Sequence, residues 1–195
     1  MTGPSPPAML KPRLSGRTVA LVGNAKSLSA QALGPAIDAC EIVIRLNAAP
    51  QASPESHGRL THWLAASTFL PSSRLTALNP GLLLWMSPRR RILARLAYGW
   101  RWPMSFYPVA WWRELSAALG GCRPSTGLMT IDLLRRLGGY RELNLFGFDF
   151  FQSGSLSTRA LAAPPPHDFA REREHVLELL RGQHGLRLIG GRAVA

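Results

Sequence analysis

Cysteine is nearly absent from this sequence, with Cys40 and Cys122 the only two. One such pair supplies neither a disulfide scaffold nor a four-cysteine or paired CxxC zinc site, and it suits a reducing compartment. No apolar run reaches the ~18–20 residues of a membrane span, because Arg, Pro or Gly cuts the densest stretches. The opening MTGPSPPAMLKPRLSGR has prolines where a secretory signal has its apolar segment, so no export signal is read there, and a cytoplasmic location is expected. Several ligand motifs are missing too. There is no GxxxxGK(S/T) loop and no GxGxxG, and Asp38, Asp132, Asp149 and Asp168 form no DxD, so no resident metal or cofactor is expected. Negative charge is scarce: 11 acids face 23 basic residues, giving a formal +12, and all but Lys11 and Lys26 of the basic residues are Arg. No acid stands between Glu55 and Glu114, a stretch holding eight Arg and all six Trp. Such a field favours an anionic partner: nucleic acid, an anionic membrane surface or a nucleotide-bearing substrate.

What is present is the pattern of one folded domain. A chain of 195 residues is enough for one core and too short for two. Residues 1–15 read as a loosely held leader, and residues 16–195 as a single domain. RTVALVG (17–23) is a buried strand running into a Gly-Asn turn, and EIVIRLN (41–47) is a second strand. A short helix disturbed by Gly34 and Pro35 joins them. LTHWLAAS (60–67), LLLWM (82–86), ELNLFGF (142–148) and LRLIG (186–190) complete the expected strands. Helices are expected over 89–99, 110–120, 125–139 and 167–185. Ser125 is placed to cap the clearest of these, with Leu128, Ile131, Leu134 and Leu137 as its apolar stripe and Gly138 and Gly139 as its stop. Strands alternate with helices, which makes the class α/β with a mostly parallel sheet.

Two fragments offer a ligand site. Gly23 and Asn24 end the first strand, where glycine permits close backbone approach and an amide side chain can bond a ligand, although many such turns are only turns. PSTG (124–127) opens a strong helix with two hydroxyls and free N–H groups, which suits either a phosphate or carboxylate or simple capping.

In order and spacing these fragments resemble the sialyltransferases of glycosyltransferase family 29. VALVGNAKSL…ID…EIVIRLNAAP is similar to that family's long donor-binding motif, and RPSTGLMTIDLLRRLGGYRELNLFGFDF to its short motif. HDFARE is similar to its very short motif, LTHW echoes a Thr-His beyond the long motif, and LRLIGGR looks like its closing strand. The resemblance runs from about residue 17 to 192. It implies a Rossmann-like sheet flanked by helices, a GT-A-type variant, and an inverting, metal-independent transfer from a cytidine monophosphate (CMP)-activated acidic sugar to a hydroxyl of a glycan or glycolipid acceptor.

By the same resemblance Gly23, Asn24 and Asn47 face the ribose-phosphate. Ser125, Thr126 and Gly127 face the donor's phosphate or carboxylate, and Gly147 and Phe148 line the nucleoside pocket. His167 is the expected general base. Three prolines deliver it to the start of a helix, where the dipole disfavours extra positive charge, while Asp168 pushes the other way. Glu172, five residues on and about 140° around the helix, is expected to brace the helix or an adjacent loop rather than His167. The chain departs from the family at Val19, near where the long motif begins with Cys. It also lacks a His-Tyr-Tyr-type motif between Phe151 and Pro166, so the group that holds the leaving phosphate is not assigned. Cys40 and Cys122 are expected to be a buried and a loop thiol without catalytic roles.

Sialic acid is the donor sugar the resemblance favours, with 3-deoxy-manno-octulosonic acid (Kdo), also carried as a CMP ester, as the alternative. A compact bacterial-type member fits the lack of disulfides. A non-enzymatic module for nucleic acid or membrane on a relic fold also fits the charge. PSTG and HDFARE in register favour the enzyme, and no nucleic-acid partner is expected. SPRRRILARLAYGWRWPMSFYPVAWW (87–112) reads either as a basic helix and loop with core-filling Trp, or as a surface resting on an anionic leaflet. In the second case Arg89, Arg90, Arg91 and Arg95 lie near phosphates, Trp100 and Trp102 lie at the interface, and the enzyme sits at the inner face of the membrane.

Overall fold

The computed structural model describes residues 9–156, 167–182 and 184–190. Seven strands form one sheet: β1 (Thr18–Val22), β2 (Ile42–Leu46), β3 (Trp63–Ala66), β4 (Leu82–Trp85), β5 (Met104–Phe106), β6 (Glu142–Phe146) and β7 (Leu186–Ile189). Their order is β5-β4-β3-β2-β1-β6-β7, and every neighbouring pair is parallel. A parallel sheet needs crossovers that cover both faces, which is why most of its strands read as near-continuous apolar runs. β2 is buried at all five positions.

The helices are α1 (Lys11–Leu14), α2 (Gly34–Asp38), α3 (Pro54–His57), α4 (Ser72–Leu78), α5 (Arg91–Tyr98), α6 (Val109–Ala118), α7 (Thr126–Leu137) and α8 (Phe169–Gly182). On one face Val19, Leu21, Ile44 and Leu84 pack with Leu10 and Leu14 around α1, Leu115 of α6, Leu128 to Leu137 of α7 and Val176 of α8. On the other, Leu64, Leu83 and Trp85 meet Leu75 of α4 and Ala94 and Tyr98 of α5, and beside them Ala20, Val22 and Val43 meet Leu28 and Ile37.

Four features differ from the sequence expectation or sharpen it. Leu10 and Leu14 are buried, so the folded body starts before residue 16; residues 1–8 lie outside the described residues. The disturbed helix splits into a 3-10 turn (Lys26–Ala30) and α2. A Cβ on Gly34 would lie 1.9 Å from the Pro54 carbonyl oxygen, so α2 touches α3 at a point where only glycine fits. β5 is additional, a three-residue edge strand. The basic helix starts at Arg91 because Arg90 adopts a left-handed conformation, φ 55°. The Pro-rich segment before His167 and the stretch searched for a His-Tyr-Tyr-type motif, from residue 157 on, lie outside the described residues.

Two buried polar groups fix long connections. Arg45 is 2% exposed and donates from Nε to the Leu60 carbonyl (2.8 Å) and from Nη2 to the His57 carbonyl (2.8 Å), tying β2 to the segment before β3. Asp132, inside α7, accepts from the Tyr107 hydroxyl (2.5 Å) and from Arg136 Nε (2.8 Å), and Arg136 also reaches Glu114 on α6 (2.7 Å). Buried polar groups that are paired orient their elements. The Asp132 group holds α7 from its middle.

Candidate functional site

The sheet order changes direction at β1, with β2 to β5 on one side and β6 and β7 on the other. In open α/β sheets the crevice beyond the carboxyl ends of the strands at such a switch point is the usual ligand site. The register pairs Val22 with Arg45 of β2 and with Phe146 of β6, so Gly23, Asn47 and Gly147 all emerge at one edge.

Two glycines let the turns there pass each other. A Cβ on Gly23 would lie 2.3 Å from the Gly147 carbonyl oxygen, and Gly147 has φ +66° with Leu28 and Gly23 packed against it. Asn24 donates its amide to the Leu46 carbonyl (3.2 Å), which orients its side chain across the crevice. Asn47 sits in the left-handed region at φ 52°, a strained conformation that Asn tolerates better than most residues. Its Oδ1 accepts from the Ser67 N–H (3.1 Å) and its Nδ2 donates to Thr126 Oγ1 (3.4 Å), while the Thr126 hydroxyl donates to Ser67 Oγ (2.8 Å). The ends of β2, β3 and α7 are thus joined by one small network.

Ser125 caps α7, accepting from the Leu128 N–H at 3.2 Å. Its own N–H and hydroxyl each donate to Glu172 of α8, both at 2.6 Å. Glu172 is 3% exposed. Burial pushes its carboxyl up to about 7, against the two Ser125 hydrogen bonds that favour the charged form. Glu172 therefore braces the adjacent PSTG turn. Gly127 lies under the ring of Phe148, where an added Cβ would come within 3.0 Å of Cε1.

His167 precedes α8. Its Nδ1 is 2.8 Å from the Arg123 carbonyl oxygen, which can only accept, so Nδ1 carries the proton and Nε2 is the basic nitrogen of the neutral ring. Burial holds the imidazole below its usual 6.5, although the carbonyl contact favours the charged form. The cause differs from the one read in the sequence. The side chain of Asp168 accepts from the Arg171 N–H (3.1 Å), so it takes up part of the helix start that was expected to act on His167.

Gly23, Asn24, Asn47, Ser125, Thr126, Gly127, Gly147, Phe148, His167 and Glu172 all line one cleft of about 220 Å³. The same cleft contains residues the sequence reading did not single out: Asp149, Phe150, Phe151 and Phe169. Asp149 Oδ2 accepts from the Ser27 hydroxyl (2.8 Å) and the Ser153 N–H (3.1 Å), and its buried Oδ1 has no hydrogen-bond partner among the described residues. Phe150 and Phe151 both have positive φ, 54° and 66°, and Phe151 stacks on Phe169 with centroids 3.8 Å apart. An acidic and aromatic run directly after a strand end (FGFDFF) was the available signal. Cys40 is buried and Cys122 half-buried; neither lines the cleft. No group of three or more His, Cys, Asp or Glu side chains arranged to hold a metal ion occurs among the described residues.

Residues 5–68 match the model of glycosyltransferase family 29 (sialyltransferase). No curated protein matches the sequence. Among solved structures the fold is similar to a mammalian sialyltransferase, with TM-score 0.70 and 22% identity over 98% of this chain and 75% of that one. It is similar to the same kind of protein in complex with Gal-beta-1-3GalNAc-ortho-nitrophenol, with TM-score 0.67 and 21% identity over 98% and 76%. It is also similar to the sialyltransferase CstII from Campylobacter jejuni in complex with a substrate analogue, CMP-3FNeuAc, with TM-score 0.57 and 15% identity over 88% and 78%. The chain is similar to the glycosyltransferase family 29 sialyltransferases, in sequence across residues 5–68 and in fold across nearly its whole length.

Proposed function

We propose that this protein is a glycosyltransferase that moves sialic acid from CMP-sialic acid to a hydroxyl of an acceptor glycan, with inversion and without a metal ion. The observation that carries the reading is the cleft itself. Residues of three distant segments, those that resemble the family's long, short and very short motifs, converge at the switch point around a histidine whose basic nitrogen is Nε2. CMP is a good leaving group, so the protein's task is to position both partners and accept one proton. The acceptor oxygen forms the new bond to the anomeric carbon, the bond to phosphate breaks, and CMP departs with its electron pair. His167 Nε2 takes the hydroxyl proton. The start of α7 at Thr126 and Gly127 faces the donor's negative charge with its helix-start N–H groups, while Glu172 holds the Ser125 N–H and hydroxyl. Asn24 and Asn47 hold the ribose-phosphate, and Phe148 packs beside the base.

The test pairs binding with turnover. CMP is expected to raise the melting temperature, and CMP-sialic acid to release CMP when incubated with the enzyme. His167→Ala is expected to lose ~10²–10⁴ in turnover while keeping CMP affinity. Release from CMP-Kdo alone would overturn the sugar assignment; no shift with CMP or CDP would overturn the donor class.

A further inference from the structure

Helix α5 covers the core with one face and presents a second apolar face outward. Its inner side is well anchored: Ala94 and Tyr98 are buried, and the Tyr98 hydroxyl donates to the Leu70 carbonyl (2.9 Å) and accepts from the Leu70 N–H (2.8 Å). At 100° per residue, Ala94 and Tyr98 fall at about 200° and 240° from Ile92. Ile92, Leu96 and Leu93 then span about 0° to 100°, directly opposite. These outer residues are exposed, Ile92 by 77%, Leu96 by 71% and Leu93 by 55%, and Trp100 just beyond the helix is 77% exposed. Seven large hydrophobic residues are exposed among those described, and four of them form this ridge.

Arginines border the ridge. Arg89, Arg90, Arg95 and Arg101 are exposed, and no acid lies anywhere between Glu55 and Glu114. Of the residues in the membrane reading of this segment, Trp102 is not exposed and Arg91 is only partly so. Trp102 is buried beside Tyr98, and the Arg91 guanidinium lies over Phe106 at 4.9 Å. Strand β4 ends at the same sheet edge as the cleft, so Arg89 and Arg90, which follow it, stand on the side of the molecule where the cleft opens.

We propose that the outer face of α5, with Trp100, docks on an anionic phospholipid bilayer, with the aliphatic ridge in the acyl boundary and the arginines at the lipid phosphates. A helix with an apolar face and a cationic border lies in the plane of such an interface. The charge argues against a second copy of this chain, because self-association would press the same arginines together with no acid in the segment to meet them. An aliphatic ridge also offers little to stack on nucleic-acid bases. This surface goes beyond the proposed transfer reaction and does not depend on it.

The test is co-sedimentation of the intact protein with phosphatidylcholine vesicles, with and without phosphatidylglycerol, at low and high salt. Binding is expected only with phosphatidylglycerol, and to weaken as salt rises. Arg89→Gln with Arg95→Gln is expected to weaken it roughly fivefold per arginine. Ile92→Ser with Leu96→Ser is expected to abolish it while the urea midpoint stays within error of wild type, since both side chains are exposed. Trp100→Phe is expected to keep binding but lose most of the fluorescence quenching by brominated lipid. Equal binding to neutral vesicles, salt-independent binding, no binding at all, or a ridge variant that only turns an oligomer into a monomer would each overturn the proposal.

Discussion

Replacing Glu172 by Gln should reverse sign with pH, and the size of the effect follows from the burial of one carboxyl. Glu172 is closed between α8 and the α7 cap, with Ser125 as its partner. Its carboxyl lies at about 7, against an ordinary 4.5. Because the folded value is raised, the associated stability is fully present below pH 4.5 and is lost as pH climbs through about 7. The difference of about two and a half pH units corresponds to about 3 kcal/mol in total, of which about 2–3 kcal/mol is lost between pH 5 and pH 8.5. Glutamine has the same shape and no charge. It keeps an acceptor for the Ser125 N–H but points an NH2 at a hydroxyl that already accepts from Leu128, a fixed cost of about 1–2 kcal/mol. Urea denaturation should therefore find Glu172→Gln less stable than wild type at pH 5 and equal or more stable at pH 8.5. The gap between the two proteins should move by about 2–3 kcal/mol across that range. A gap that stays constant with pH would show that Glu172 titrates as an ordinary carboxyl and that its burial is not what sets its charge.

Other expectations concern the rest of the site and its support. The desolvated His167 ring should centre the acid limb of kcat/KM below 6.5; an acid limb centred above 6.5 would exclude His167 as the base. Gly23→Ala drives a Cβ to 2.3 Å from a backbone oxygen, so it should cost about 1–3 kcal/mol or more and abolish the CMP-induced melting shift. A wild-type melt with an intact shift would contradict that geometry. Tyr107→Phe removes one hydrogen bond to buried Asp132 while Arg136 keeps the carboxylate paired, a loss of about 1–3 kcal/mol in urea denaturation. A loss below ~0.5 kcal/mol would mean Tyr107 does not hold α7. Cys40→Ser and Cys122→Ser should leave CMP release unchanged, since neither thiol lines the cleft; abolition by either would put that thiol in the site.

The strands were legible because their signals are local, and the cleft residues because several short motifs stand in a family's order and spacing. A β-branched run ending in Gly-Asn marks a strand and its turn, and PSTG before an apolar stripe marks a cap. β5 was not legible, since Met-Ser-Phe after Pro103 is too short to show a period. Trp100 and Trp102 stand two residues apart, yet one is exposed and the other buried against Tyr98, because both lie beyond the end of α5 and no helical spacing applies. The joining of Asn47, Ser67 and Thr126, and of Ser125 and Glu172, links residues between 20 and 79 positions apart. Only the folded register brings those pairs together. Asp149 stands in the FGFDFF run, but a lone acid after a strand has many ordinary uses; its buried Oδ1 and its serine partners appear only in three dimensions.

The sheet order also governs when the cleft can first exist during synthesis. β1 lies inside the sheet, but its second neighbour, β6, begins 124 positions later, from Thr18 to Glu142. At ~5–20 residues per second, a ribosome needs roughly 6–25 s to make that stretch. Through that interval β1 to β5 can pair among themselves, while the far edge of β1, an apolar strand with unpaired N–H and C=O groups, has no partner in the chain. Such an edge invites pairing with other chains. The nascent protein is then most exposed to aggregation, and most dependent on chaperones, at the strand edge where the two halves of its cleft will later meet.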